Sequence, residues 1–357
     1  MRSCATSLYG SRFMIRLAKF RYALLALFTL SVALQSPVDA SVSTFGTGLN
    51  QFEMTFVEIG NPGNDADPRR YGTPQGSVAY AYQLGKYEVS RDMITKYNAN
   101  FGTNNGQAID MGSMWRYGGT RDAMPATEVS WNEAARFVNW LNTSQGYQAA
   151  YNFTTSGVND NIALWSPDQA WQQGGENLFR HKDAHYWLPS MDEWYKAAYY
   201  DPSSGNYFEY PTASNTAPVG VASGDGTGTN GNNEAVFFQY WDSGPADITQ
   251  AGGLSAYGIM GMGGNVWEWD ETTSDLNNDY AGNTRGVRGG YWNSSSFDLR
   301  SSTYRISGSA HSGGLNIGFR VASLSDSVNV VPEPGSVLVW GLLGLAGVFV
   351  GRKWLRK

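Results

Sequence analysis

Gly264-Asn265-Val266-Trp267-Glu268-Trp269 sets two tryptophans on either side of one carboxylate. On physical grounds this is a core segment, with Trp267 and Trp269 packing inward. Glu268, if it is buried with them, needs a charged partner, because an isolated buried carboxylate is strongly disfavoured. Cations stand downstream: between positions 285 and 320 the chain carries Arg285, Arg288, Arg300, Arg305 and Arg320 against Asp298 alone. Arg288 and Arg320 lie beside glycines and read as internal, bidentate ion-pairing residues. Arg300 and Arg305 are freer and flank a run of aromatic, amide and hydroxyl residues, Trp292-Asn293-Ser294-Ser295-Ser296. Those groups suit stacking on and hydrogen bonding to a sugar; the same composition also describes a polar loop over a tryptophan-rich core.

Around this segment the regular structure is sparse. Ser130-Trp131-Asn132-Glu133 and Ser190-Met191-Asp192-Glu193 are capping boxes. The first is followed by Ala134, Phe137, Val138 and Leu141 at helical spacing, the second by Trp194, Ala197 and Ala198. A third short helix is predicted after Ser90, with Met93, Ile94 and Tyr97 inward. Elsewhere short apolar pieces are broken by Gly, Asn, Ser and Thr, and residues 212–233 are almost wholly loop-forming. With no fixed-period repeat and no βαβ alternation, the expected class is an irregular α+β domain over residues 41–323, with few short helices and strands and many loops.

Charge separates the ends of the chain from its middle. Residues 41–331 hold 16 Lys and Arg against 29 Asp and Glu, a formal charge of −13. So acidic a body has little with which to displace counterions from phosphate, which argues against a nucleic-acid partner. Thirteen tryptophans and a 41% hydrophobic content argue equally against intrinsic disorder. At the N-terminus, Arg12, Arg16, Lys19 and Arg21 precede an apolar run from Tyr22 to Leu34, and Val38-Asp39-Ala40 leaves small residues before Ser41. Residues 1–40 are thus expected to be a secretory signal peptide. The chain's one cysteine, Cys4, falls in that segment, so a body from Ser41 offers no thiolate.

After a linker over residues 324–331, Val331-Pro332-Glu333-Pro334-Gly335 precedes an apolar stretch from Ser336 to Val350 and a basic tail from Gly351 to Lys357. The order of motif, span and basic tail over residues 332–357 resembles the PEP-CTERM sorting signal of exopolysaccharide-producing Gram-negative bacteria. That resemblance implies a tether in the inner membrane through the C-terminal span, an exosortase-type protease as partner, and display at the cell surface or in the extracellular matrix.

Five stretches taken in order resemble the sulfatase-modifying factor domain of the formylglycine-generating enzymes. They are Phe56–Gly60 with Gly85–Ser90; Met124–Trp131; Tyr186–Trp194; Gly264–Trp269; and Arg288-Gly289-Gly290-Tyr291-Trp292 closing with Asn316-Ile317-Gly318-Phe319-Arg320-Val321. The resemblance spans roughly residues 50–323 and implies a variant of the C-type lectin fold. It makes Asn265, Trp267, Trp269, Arg288, Asn316 and Arg320 structural motif residues.

The oxidase members of that family hold copper between two cysteines, which counted from Gly289-Gly290 fall here on Ser294 and Leu299. Neither is a ligand for Cu(I), so no copper chemistry is expected. The iron-dependent branch uses a histidine cluster; here only His181, His185 and His311 are present, and no iron is expected. His181 and His185 stand at the spacing of one helical face, and solvated surface histidines are the expectation ahead of a metal pair. The family also builds a calcium site whose equivalents are Glu268 and the carbonyls of Gly264 and Val266, with an Asn or Asp replaced here by Gly261. Both readings of Glu268, calcium ligand and arginine partner, stay open on sequence alone.

The expected protein is an exported envelope component, a non-catalytic binding module for polysaccharide or protein, with Trp292, Asn293, Ser294, Arg300 and Arg305 as candidate ligand-binding residues. The alternative is an enzyme of the same superfamily with catalytic groups that the sequence does not single out.

Overall fold

In Phe52–Ile59 every second side chain from Phe52 to Phe56 is buried while Glu53 is exposed, the period of a half-covered strand. The computed structural model describes residues 40–68, 73–117, 119–157, 159–224, 228–282, 284–303 and 306–325. The proposed signal peptide apart from Ala40, Arg305, and the proposed sorting signal, span and basic tail lie outside them.

In chain order the strands are β1 (Ala40–Phe45), β2 (Phe52–Ile59), β3 (Tyr82–Gly85), β4 (Ala170–Trp171), β5 (Asn177–His181), β6 (Tyr186–Trp187), β7 (Val219–Gly220), β8 (Glu234–Ala235), β9 (Trp267–Thr273), β10 (Arg285–Arg288), β11 (Ile306–Gly308), β12 (Ile317–Gly318) and β13 (Ala322–Leu324). Five form a sheet in the order β1-β2-β3-β13-β6, so the last described strand lies between two early ones. A second sheet has the order β11-β10-β9-β12, in which β12 runs parallel to β9. Leu324 pairs with Tyr82, and Ser325 is buried with its hydroxyl on Glu58. The fold therefore runs on through Ser325, so residues 324 and 325, expected in the linker, belong to the body.

The three α-helices among the described residues are α1 (Arg91–Tyr97), α2 (Trp131–Ser144) and α3 (Met191–Tyr199). Both capping boxes form. The Ser130 hydroxyl accepts the Glu133 amide at 3.2 Å while Glu133 accepts the Ser130 amide at 2.8 Å, and Ser190 and Glu193 repeat the exchange at 3.2 and 2.6 Å. None of the described helices is long and apolar enough to cross a membrane. Trp131, Trp187, Trp194, Trp269 and Trp292 are all fully buried. Each removes roughly 150–250 Å² from water, worth several kcal/mol at about 25 cal/mol per Å² as an upper estimate, which is how so irregular a backbone is held.

Candidate functional site

Strand β9 carries Glu268 into the interior, where Arg320 meets it. The Arg320 guanidinium donates to both carboxylate oxygens, with Nε to Oε2 at 2.5 Å, and also to the carbonyls of Gly85 and Met260 at 2.9 and 3.0 Å. Trp194 adds its indole N–H to Oε2 at 2.7 Å. Burial alone would pull Arg320 down, but the Glu268 charge and hydrogen bonds outweigh it and hold the guanidinium above its ordinary value.

A second carboxylate, Glu88, lies fully buried close by; its Oε1 accepts the Asn265 amide at 2.9 Å and its Oε2 has no hydrogen-bond partner among the described residues. Burial first and the Glu268 charge second push Glu88 up to about 8. Gly261, at φ +77°, touches this carboxylate so closely that a Cβ there would stand 2.9 Å from its oxygens. An Asn or Asp at position 261 has no room, and both oxygens of Glu268 are already engaged by a cation. These residues do not fit a calcium site, and the arginine-partner reading of Glu268 is the one the geometry carries. Of the other segment residues, Trp269 donates to the Val129 carbonyl at 2.8 Å, Asn316 accepts the Trp267 amide at 2.9 Å, and Arg288 reaches Gln75 and lies over the Tyr195 ring.

The positions equivalent to the copper cysteines are filled. Ser294 is buried, its hydroxyl accepts the Tyr291 amide at 3.1 Å, and its carbonyl accepts the Phe238 amide at 2.9 Å. Leu299 is packed with Tyr210, Ala235 and Phe237. Neither side chain offers a soft donor, so the copper chemistry has no seat here.

Trp292, expected to be able to stack on a ligand, is instead core. It is 0% exposed, its indole N–H donates to the Trp241 carbonyl at 2.9 Å, and Tyr117, Trp241 and Tyr291 pack around it. Asn293 is exposed but bound, through its amide, to the Gln239 carbonyl at 2.5 Å. Arg300 is half-buried, donates to the Tyr210 hydroxyl at 2.9 Å and has its guanidinium 5.9 and 5.7 Å from the Tyr210 and Phe297 rings.

The sequence reading missed the segment that runs beside this loop. Phe238 and Gln239 bond through their amides to the carbonyls of Ser294 and Trp292. This lays out Phe238 at 79% and Tyr240 at 88% exposure, with Trp241 beside them. Phe238 holds a φ of +60°, a conformation that costs a bulky L-residue roughly 1–2 kcal/mol. The residues that brace the strip stand more than fifty positions downstream, so the pairing leaves no local sign, although Phe237-Phe238-Gln239-Tyr240-Trp241 is itself a dense aromatic run just after the loop-forming residues 212–233.

The sequence reading missed a second buried charge centre as well. Arg180 on β5 donates to Glu193 at 3.0 and 3.1 Å and to Glu271 at 3.1 and 2.7 Å, with its guanidinium over the Trp187 ring. Burial would lower Arg180, yet the two carboxylates hold it well above its ordinary value. The two acids diverge because they share one cation: burial acts on both, Arg180 still carries Glu193 below its ordinary value, and Glu271 stays above it.

The histidines make no cluster. His181 ends β5, buried against Trp165 rather than solvated, and after the turn at Lys182-Asp183 His185 stacks on Tyr147 at 4.3 Å. Among the described residues no group of three or more His, Cys, Asp or Glu is placed to hold a metal.

This architecture is the C-type lectin-like fold of the formylglycine-generating enzymes. Residues 42–324 match the sulfatase-modifying factor enzyme 1-like domain, and the chain belongs to that family. Among solved structures it is similar to the Treponema denticola variable protein 1, at 20% identity and a TM-score of 0.51 over 80% of this chain and 99% of that one. CarF is similar as well, at 18% identity and a TM-score of 0.50 over 81% and 99%. At these identities the likeness is one of fold. No curated protein matches the sequence.

Proposed function

We propose that this protein is an exported recognition module of the cell envelope, which binds a polysaccharide or a surface protein through the strip of Phe238, Tyr240 and Trp241. The observation that carries this reading is the strip itself: large aromatic side chains, the types that dominate binding energies, exposed within four residues of one another and braced by backbone bonds to residues 292–294. Asn293 and Arg300 flank it with polar and charged groups. Phe238 in a strained conformation supports the same reading, since strain kept at an exposed residue is commonly tied to function. Loss of both copper-ligand positions argues against oxidation of a substrate cysteine. Residues 1–40 and 332–357 support export and sorting by an exosortase-type protease, with the C-terminal span as the membrane tether of a Gram-negative cell.

The test is retention of the full chain on the producing cells' own envelope polysaccharide and on their surface proteins. Replacing Phe238 and Tyr240 together by serine should lower retention on one of them at least tenfold without moving the melting temperature. Unchanged retention on both, or conversion of a cysteine-containing sulfatase peptide to formylglycine in the presence of copper, refutes the reading.

A further inference from the structure

Helix α2 presents Arg136, Asn139, Trp140 and Thr143, at helical spacing, to a cavity of about 300 Å³. Phe101 and Gln107 wall it on one side, and residues 149–155 with Trp165 on another. Arg136 is only 4% exposed, yet among the described residues it makes a single hydrogen bond, from Nη2 to the Thr155 carbonyl at 3.2 Å. Its Nε is buried without an acceptor among the described residues, and the Asp160 carboxylate acts on it only electrostatically, without a hydrogen bond. The guanidinium face rests on the Phe153 ring at 3.8 Å, so what remains unused is its hydrogen-bonding edge.

Trp140 stands in the same wall and can offer its indole N–H, which is not among the buried unpartnered donors of the described residues. Arg91 likewise has a buried Nε without an acceptor among the described residues, but it is not part of the wall of this cavity. At Arg136 an unmet buried donor and the cavity coincide. Burying a guanidinium without a partner is expensive unless something else supplies the acceptor.

We propose that this cavity binds the carboxylate-bearing ring of an acidic sugar. A carboxylate matches the guanidinium edge and accepts from two donors at once. The surrounding faces of Trp165, Trp140 and Phe101 suit the C–H surface of a pyranose, and the amides of Gln107 and Asn152 with the Thr143 hydroxyl suit its hydroxyl groups. The volume lies at the low end of small-molecule sites, about 300–1,000 Å³, which selects a single ring over a longer segment. In a body of formal charge −13, a buried cation facing an open cavity is the local exception that makes an anionic ligand bindable.

The probe is D-glucuronate, titrated into the full chain and followed through the side-chain N–H resonances of Arg136 and Trp140. Both should shift and saturate. D-glucose at the same concentrations should leave them in place. Arg136→Gln should weaken glucuronate binding at least tenfold, and Trp140→Phe, which keeps an aromatic ring and removes the N–H, several-fold. The paired Phe238 and Tyr240 serine variant should bind glucuronate as the parent does, which separates this site from the aromatic strip.

Glucose binding equal to glucuronate, glucuronate binding untouched by Arg136→Gln, or no saturable shift overturns the proposal. Acetate binding as tightly as glucuronate overturns the sugar. If Arg136→Gln fails to fold, the contrast between glucuronate and glucose on the parent protein still decides.

Discussion

Arg180 and Arg136 are both buried, both lie against aromatic rings, and differ in what meets their N–H groups. Arg180 is engaged by two carboxylates through four hydrogen bonds, whereas Arg136 has one carbonyl and a cavity. Burial works against both guanidiniums. At Arg180 two glutamates overcome it; at Arg136 burial prevails, and its pKa falls below the ordinary value, with the exposed Asp160 pulling the other way too weakly to restore it. A satisfied buried charge reads as architecture, and an unsatisfied one beside a cavity reads as a place for a ligand.

The comparison is most exposed at Arg180. Arg180→Met leaves Glu193 and Glu271 buried without a counter-ion, and removing one side of a buried pair costs about 3–5 kcal/mol. For a body of this size that is a fall in melting temperature on the order of 10 °C. Circular dichroism melts should show it, and Glu271→Gln added to Arg180→Met should recover part of the loss. A variant that melts with the parent would deny the network its structural role.

Glu88 offers a smaller effect with a distinct pH signature. Its folded value of about 8 lies above the ordinary 4.5, so between those values the folded protein keeps a proton that the unfolded chain has released. The stabilising contribution is complete below pH 4.5 and is lost as pH rises through about 8. At about 1.4 kcal/mol per unit the loss amounts to a few kcal/mol. Denaturant midpoints measured from pH 5 to 8.5 should decline in the parent, and the decline should flatten in Glu88→Gln. A parallel decline in both would place the titrating group elsewhere.

What the sequence made legible was local. The two capping boxes, the three helices and the inward Trp267 and Trp269 follow from residues within one turn or one strand of each other. The family motifs extended this to the fold. Partner choice was not legible, because Glu268 meets an arginine 52 residues away and Arg180 a glutamate 91 residues away, over a separation on which sequence spacing says nothing. Trp292 failed for the same reason. Whether an indole stacks on a ligand or on its own protein depends on Tyr117 and Trp241, which come from distant loops. Arg136 gave no sign at all, since within α2 it stands among apolar neighbours as any surface arginine on a helix would.

Arg136→Met should produce the smallest change in stability, and it sharpens the comparison most. The substitution forfeits the cation–π contact with Phe153, about 1–2 kcal/mol when desolvated, and one hydrogen bond at 3.2 Å. In exchange it relieves the burial of a charge that no carboxylate neutralises, and methionine fills much of the same volume against Phe153 and Trp140. These terms oppose each other and are of similar size, so the denaturant midpoint should stay within about 1 kcal/mol of the parent. A loss as large as that of Arg180→Met would mean that the single bond to Thr155 and the ring contact hold the segment in place. Near-neutral stability together with lost glucuronate binding would show a buried charge retained at no structural gain, which only an external acceptor explains.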